Sequence, residues 1–183
     1  MNSVPSRLHH TAFVSKNLEA TRHFYEDVLG LPLQATWCET DFLFGKDRTY
    51  CHCFFGIGDG GALAFFQFAD PEDQAQFGPE IPATPFMHLA LNVDEATQAE
   101  LERRIKDAGL EATYTLEHGY CRSVYVVDPN GMTVEFTCDD PRASAGDAER
   151  KARAHDELKR WLGGDHTSNN TFRHEEAAYA APP

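Results

Sequence analysis

No stretch of this sequence approaches the roughly 18 consecutive apolar residues that cross a bilayer. Its first residues, Met1-Asn2-Ser3-Val4-Pro5-Ser6-Arg7, lack the apolar core of a secretory leader. The expectation is a cytoplasmic protein with no membrane partner. Positive charge is also short: 16 Lys and Arg stand against 29 Asp and Glu, for a formal charge of -13. That balance sets aside generic attraction to nucleic acid and leaves a small molecule as the expected ligand. The five cysteines (Cys38, Cys51, Cys53, Cys121, Cys138) are odd in number and scattered, which in a reducing compartment reads as free thiols. Cys51-His52-Cys53 has no second Cys/His pair at zinc-finger spacing, and strand alternation puts its sulfurs on one face and His52 on the other. A structural zinc site is therefore not expected.

What the chain does have is a globular composition, 42% hydrophobic and 25% charged over 183 residues, enough for one ordinary domain or two small modules. Leu8 to Ser15 reads as a strand. Asn17 then caps a helix with Leu18, Thr21, Tyr25 and Val28 at helical spacing, stopped by Gly30 and Pro32. Strand runs follow at Leu33 to Glu39, Thr49 to Ile57 and Ala62 to Phe68, the last two joined by the turn signal Gly58-Asp59-Gly60-Gly61. The order is βαβββ. After a linker over 71–84 the order repeats: a strand at Phe86 to Val93, the cap Asp94, and a helix with Leu101, Ile105 and Ala108 inward and Gly109 at its end. Strands at Glu111 to Leu116, Ser123 to Val127 and Thr133 to Thr137 complete it, with Asp128-Pro129-Asn130-Gly131 as a hairpin turn. The expected organisation is thus α+β: one domain over 5–140 made of modules 5–70 and 85–140, and a remainder, 141–183. In that remainder 145–162 reads as a helix with a modest stripe of Ala148, Ala152, Leu158, Trp161 and Leu162. The polar run Asp165 to His174 is either plain surface or a lid, and the Ala/Pro end is expected to fray.

Each repeat opens with a histidine in its first strand. Alternation puts His10 on one face with Ala12, and His88 with Ala90, while Phe13 and Leu91 face the helices. The same parity prefers His10 to His9. In the last strand Glu135 shares a face with Thr133 and Thr137, opposite Val134 and Phe136. Two imidazoles and one carboxylate on one side of a metal leave about three positions open, as suits Fe(II) that binds substrate and dioxygen together. The bland alternative, ordinary half-exposed strand residues, weakens when three such residues fall at matching places.

On Leu8-His9-His10-Thr11-Ala12-Phe13, His23 to Leu31, Met87-His88-Leu89-Ala90-Leu91 and Tyr125 to Glu135, the chain resembles the vicinal oxygen chelate proteins over residues 8–140. That superfamily includes glyoxalase I, fosfomycin-resistance enzymes, bleomycin-binding proteins and extradiol dioxygenases. The resemblance implies two βαβββ modules forming a cup-shaped open barrel, with His10, His88 and Glu135 in the metal positions. The segment His118-Gly119-Tyr120-Cys121-Arg122-Ser123-Val124-Tyr125 is most similar to single-domain catechol dioxygenase-like members. The implied reaction is extradiol cleavage of a small aromatic substrate with dioxygen. His118 is then the candidate acid/base and Tyr125 the hydrogen-bond donor. Each has a plainer reading, a loop histidine and a packing aromatic. Two-domain extradiol enzymes carry a further histidine on the fourth strand of the catalytic domain's first module; Ala62 to Phe68 has none, and His52 on the neighbouring strand is the candidate substitute. Glyoxalase I places a fourth metal ligand in this same strand, where the candidates here are Phe65, Phe66 and Gln67. Fe(II) is the expected cofactor, with Mn(II) next and Zn(II) or Ni(II) behind. Two alternatives stand: a non-redox isomerase, epimerase or transferase on the same ligands, and a metal-free protein that sequesters an aromatic compound. A homodimer is a family-based expectation.

Overall fold

The computed structural model of the protein describes residues 4–82, 84, 86–110, 112, 114–144 and 146–173. They form an α+β fold with two four-stranded sheets, each from one βαβββ repeat, and helices after the second. The chain divides into two compact units: Met1–Met87 with Val127–Thr133, and His88–Val126 with Val134–Pro183. The expected strand start at residues 111 and 113, and the expected fraying of the Ala/Pro end, lie outside the described residues. Among the described residues no helix is long and apolar enough to cross a membrane.

In the first unit, β1 (His10–Val14), β2 (Leu33–Leu43), β3 (Lys46–Gly56) and β4 (Ala62–Phe68) take the order β1-β4-β3-β2. β1 runs parallel to β4, and the other pairs are antiparallel. The register places His10 beside Ala62, Ala12 beside Ala64, His52 beside Phe66 and Trp37 beside His52, so one face carries His10, His52, Phe54 and Phe66. The other face carries Phe13, Phe55 and Phe65 and receives the helix. That helix begins as α1 (Leu18–Arg22), where Asn17 accepts the Ala20 N–H at 3.0 Å. The spacing predicts one uninterrupted helix; instead α1 runs into a π-helical turn, His23–Val28, with Leu29 N–H reaching back five residues to Phe24 O at 3.0 Å. The wider turn lets the consecutive rings of Phe24 and Tyr25 both go inward. Tyr25 lies 4.9 Å from Phe65 and 5.6 Å from Phe55 between ring centroids.

The expected linker contains a helix, α2 (Pro71–Phe77). Asp70 caps it by accepting the Glu72 N–H at 2.8 Å, and Pro71 fits the first turn, where a missing donor costs nothing. Its Asp73 carboxylate is buried against Arg48 (3.1 Å) and Lys46 (2.8 Å), a contact made with a strand that no local pattern reveals.

In the second unit, β5 (His88–Asn92), β6 (Tyr114–Glu117), β7 (Cys121–Val127) and β8 (Thr133–Asp139) take the order β5-β8-β7-β6. The order matches that of the first sheet. Asp94 caps α3 (Glu95–Asp107), accepting the Thr97 N–H at 2.7 Å, and Gly109 follows it at φ 72°. Leu101 and Ile105 are buried with Val124, Val126, Val134 and Phe136 in the hydrophobic core. Gln98 is buried too, its amide donating to Phe136 O at 2.8 Å and Arg122 O at 2.9 Å, so the polar group is satisfied by strand carbonyls. After β8 come α4 (Pro141–Ser144) and α5 (Asp147–Leu162). No α5 residue is buried, and Leu158, Trp161 and Leu162 of the expected stripe stand exposed.

Candidate metal and acid-base site

In the second unit the strand parity puts Tyr125 and Ser123 on the face of β7 away from α3, and Glu135 on the matching face of β8. Glu135 is a buried carboxylate, 8% exposed at its side chain, and its Oε2 lies 3.0 Å from His88 Nε2 on β5. The two strands are neighbours in the sheet, which is why residues so far apart in the chain meet. The Tyr125 ring packs edge-on to His88 at 5.8 Å and stacks on Tyr114 at 4.3 Å. Burial and the adjacent Glu135 carboxylate both push the Tyr125 phenol well above its usual range, so at neutral pH it is a hydrogen-bond donor.

His118 sits in the β6–β7 turn, its backbone N–H donating to Cys121 O at 2.9 Å. Its Nε2 lies 3.2 Å from the Tyr125 hydroxyl. Burial lowers the imidazole's pKa, more than the Glu135 and Glu117 charges raise it. A neutral imidazole can take a proton, as a general base must. The second unit thus gathers His88, Glu135, Tyr125 and His118, four of the six residues singled out from the sequence.

The other two, His10 and His52, share a face of the first unit with ring centroids 6.1 Å apart. His9 Nδ1 and His10 Nδ1 are within 2.7 Å of each other, a pairing that leaves His10 its Nε2 for a ligand. His52 stacks on Phe66 at 3.6 Å, and burial lowers its pKa. Its Nε2 is buried and has no hydrogen-bond partner among the described residues. An orphaned ring nitrogen beside a second imidazole is an incomplete polar cluster that a ligand would satisfy.

Among the described residues no three His, Cys, Asp or Glu side chains stand as a group able to hold a metal. His88 Nε2 and Glu135 Oε2, 3.0 Å apart, are close enough that both could reach one ion. Their types, imidazole nitrogen and carboxylate oxygen, suit Fe(II), Mn(II) or Zn(II).

The polar run expected as plain surface or a lid holds the His118 turn, a contact the sequence did not reveal. Asn170 Nδ2 donates to His118 O at 2.9 Å. A Cβ on Gly119, which lies at φ +82°, would fall 2.3 Å from Phe172 O, so only glycine admits this approach. The segment over 165–173 is strapped to α5: Arg160 donates to Thr167 O at 2.8 Å, and Asn169 to Glu157 at 3.0 Å. Strap and helix enclose a cavity of about 490 Å³ lined by Tyr120, Arg150, Arg153, Glu157, Asn170 and Phe172, among others. The glycine after His118 was the available signal, but nothing in the sequence says what it approaches.

The family model of the Glyoxalase/Bleomycin resistance protein/Dioxygenase superfamily matches residues 7–136. A lactoylglutathione lyase of Neisseria meningitidis is 28% identical over 132 residues, 71% of this chain and 88% of that protein. The uncharacterized protein YwbC of Bacillus subtilis is 33% identical over 141 residues, 71% of this chain and 95% of its own length. The fold is shared with the fosfomycin resistance protein FosX of Listeria monocytogenes, in a crystal structure complexed with Mn(II) and sulfate. That match has a TM-score of 0.55 and 19% identity, covering 78% of this chain and 99% of that one.

Proposed function

The chain belongs to the glyoxalase/bleomycin resistance/dioxygenase superfamily, and from that premise we propose that it is a metal-dependent extradiol-type dioxygenase that cleaves a catecholic or related small aromatic compound with dioxygen. One observation carries the reading: the His118 imidazole lies 3.2 Å from the Tyr125 hydroxyl, on the strand next to Glu135. His10, His88 and Glu135 would hold the ion, Fe(II) by preference and Mn(II) next. When bound, such an ion would offer a site that both diol oxygens can chelate and would supply the one-electron chemistry that dioxygen requires. His118 accepts a proton at Nε2 from a substrate hydroxyl and returns it later in the cycle. Tyr125, kept protonated by burial and by Glu135, donates to oxygen as negative charge develops. His52 offers its Nε2, without a hydrogen-bond partner among the described residues, as a further polar contact, and Phe54 and Phe66 form an aromatic wall beside it.

A second reading, non-redox isomerase or lyase chemistry on the same ligands, is favoured by the likeness to the lactoylglutathione lyase. Against it stands the His10 face of β4, which presents Ala62, Ala64 and Phe66 and no metal-binding side chain. Gln67, the one polar candidate there, turns the other way and accepts the Leu18 N–H at 2.9 Å.

The test is the identity and stoichiometry of metal in protein purified without oxygen, with Glu135→Ala alongside. Near-stoichiometric Fe or Mn, lost in the variant, together with oxygen uptake on a catechol panel is the expected result. Zn or Ni with no oxygen uptake would replace it with the isomerase reading. No metal after anaerobic reconstitution would leave a binding protein for an aromatic compound.

A further inference from the structure

Three of the five thiols lie together on the helix-facing side of the first sheet. Cys38 on edge strand β2 is the direct cross-strand partner of Cys51 on β3. Cys51 Sγ is in turn 3.9 Å from Cys53 Sγ. Cys38 is exposed, Cys51 half-buried and Cys53 buried. Cys53 faces no thiol across the strands; its partner is Thr36, whose Oγ1 lies 3.6 Å from Cys53 Sγ.

We propose that Cys38 and Cys51 are a dithiol that hydroperoxides convert to a cross-strand disulfide, a modification site distinct from the metal and acid-base residues. Backbone distances select this pair. Directly opposed residues in an antiparallel ladder have Cα atoms about 4.5–5.5 Å apart, inside the range of about 4.4–6.8 Å that a disulfide accepts. Residues two apart in one strand, such as Cys51 and Cys53, are separated by about 6.7 Å, at the limit of that range. Cys121 and Cys138 belong to the second unit and lie on opposite faces of their sheet by strand parity.

Exposure orders the steps. The Cys38 thiol releases its proton and the thiolate attacks one oxygen of hydrogen peroxide; the O–O bond breaks, the other oxygen leaves as hydroxide and takes up that proton to become water, and Cys38 becomes a sulfenic acid. Burial and the neighbouring thiols push Cys51 up to about 12, so it waits as a thiol and is not the first to react. Its sulfur then attacks Cys38 Sγ, the S–O bond breaks, and the Cys51 proton goes to the departing oxygen to form a second water. Two thiols and one hydrogen peroxide thus give one disulfide and two waters. The peroxide is the two-electron oxidant.

The 183-residue chain is treated with a slight excess of hydrogen peroxide, its remaining thiols are blocked with N-ethylmaleimide, and its peptides are read by mass spectrometry. The expected result is that three of the five cysteines stay blockable and that one peptide pair is joined through Cys38 and Cys51. Dithiothreitol should restore all five. Cys53→Ser should still form the link, and Cys38→Ser should form none. A Cys51–Cys53 link, Cys38 oxidised to sulfinate with no partner, or a Cys38–Cys38 link between chains would each overturn the proposal.

Discussion

The Tyr25 hydroxyl donates to Asp128 Oδ2 at 3.0 Å, joining residues 103 positions apart inside one buried cluster. The same carboxylate accepts from Asn130 N (2.9 Å), Asn130 Nδ2 (2.9 Å) and Met132 N (2.8 Å). Asn130 Oδ1 in turn accepts the Lys16 N–H at 2.9 Å. The turn over 128–131 is therefore a polar plug of the first unit as well as a hairpin connection.

Tyr25→Phe removes one donor from a buried carboxylate and should cost about 1.5–3 kcal/mol, the usual worth of a hydrogen bond to a charged group. It should also change the pH dependence. Burial and Asp128 hold the Tyr25 phenol well above its usual range. Above about pH 10 the unfolded chain releases a proton that the folded chain keeps, so this residue's contribution is complete below about pH 10 and declines as pH rises. Urea unfolding at about pH 8 and about pH 10.5 checks both points. The variant should lose less stability than the parent between the two.

Asp73→Ala should be among the most damaging changes outside the site. It strips the carboxylate from Arg48, itself buried, and an uncompensated buried guanidinium costs about 3–5 kcal/mol. Exposed pairs such as Arg103 with Glu100, screened by solvent, should shift stability far less when broken. Thermal melts of the two variants side by side make the comparison.

Gly119→Ala combines a positive φ with a Cβ that the Phe172 carbonyl already crowds. It should release the strap while leaving the sheet intact. Limited proteolysis should then cut within 165–173 faster than in the parent, with little change in melting temperature. Asn170→Ala, which loses one hydrogen bond worth about 1 kcal/mol, should act in the same direction but less.

In metal-stripped protein the His118 imidazole should titrate below its usual value near 6.5, because burial outweighs the neighbouring acidic charges. Since Glu135 raises that value, Glu135→Gln should move the midpoint lower still. The folded chain then resists a proton that the unfolded chain binds, so this residue's share of stability is lost as pH falls. Two-dimensional NMR of labelled histidines reads the midpoints directly.

The repeat, the caps at Asn17 and Asp94, and the faces of Glu135 and Tyr125 were legible because each follows from local chemistry or strand parity. His10, His88 and Glu135 came from the same parity together with a family resemblance. What escaped the sequence depends on contacts between distant segments. The helix at Pro71–Phe77 hides in a Pro- and Gly-containing stretch until Asp73 is seen against Arg48. The π-helical turn answers a packing demand from Phe55 and Phe65 on the sheet. The hold on His118 comes from Asn170, a residue that parity and spacing treat as plain polar surface.

That last contact has a bearing on biosynthesis. Asn170 is translated 52 residues after His118, and Phe172 later again. The turn between β6 and β7 is therefore synthesised well before its fastener exists. Until then the turn that carries His118 has no fastener, and the hold on it is closed by some of the last of the described residues to be made.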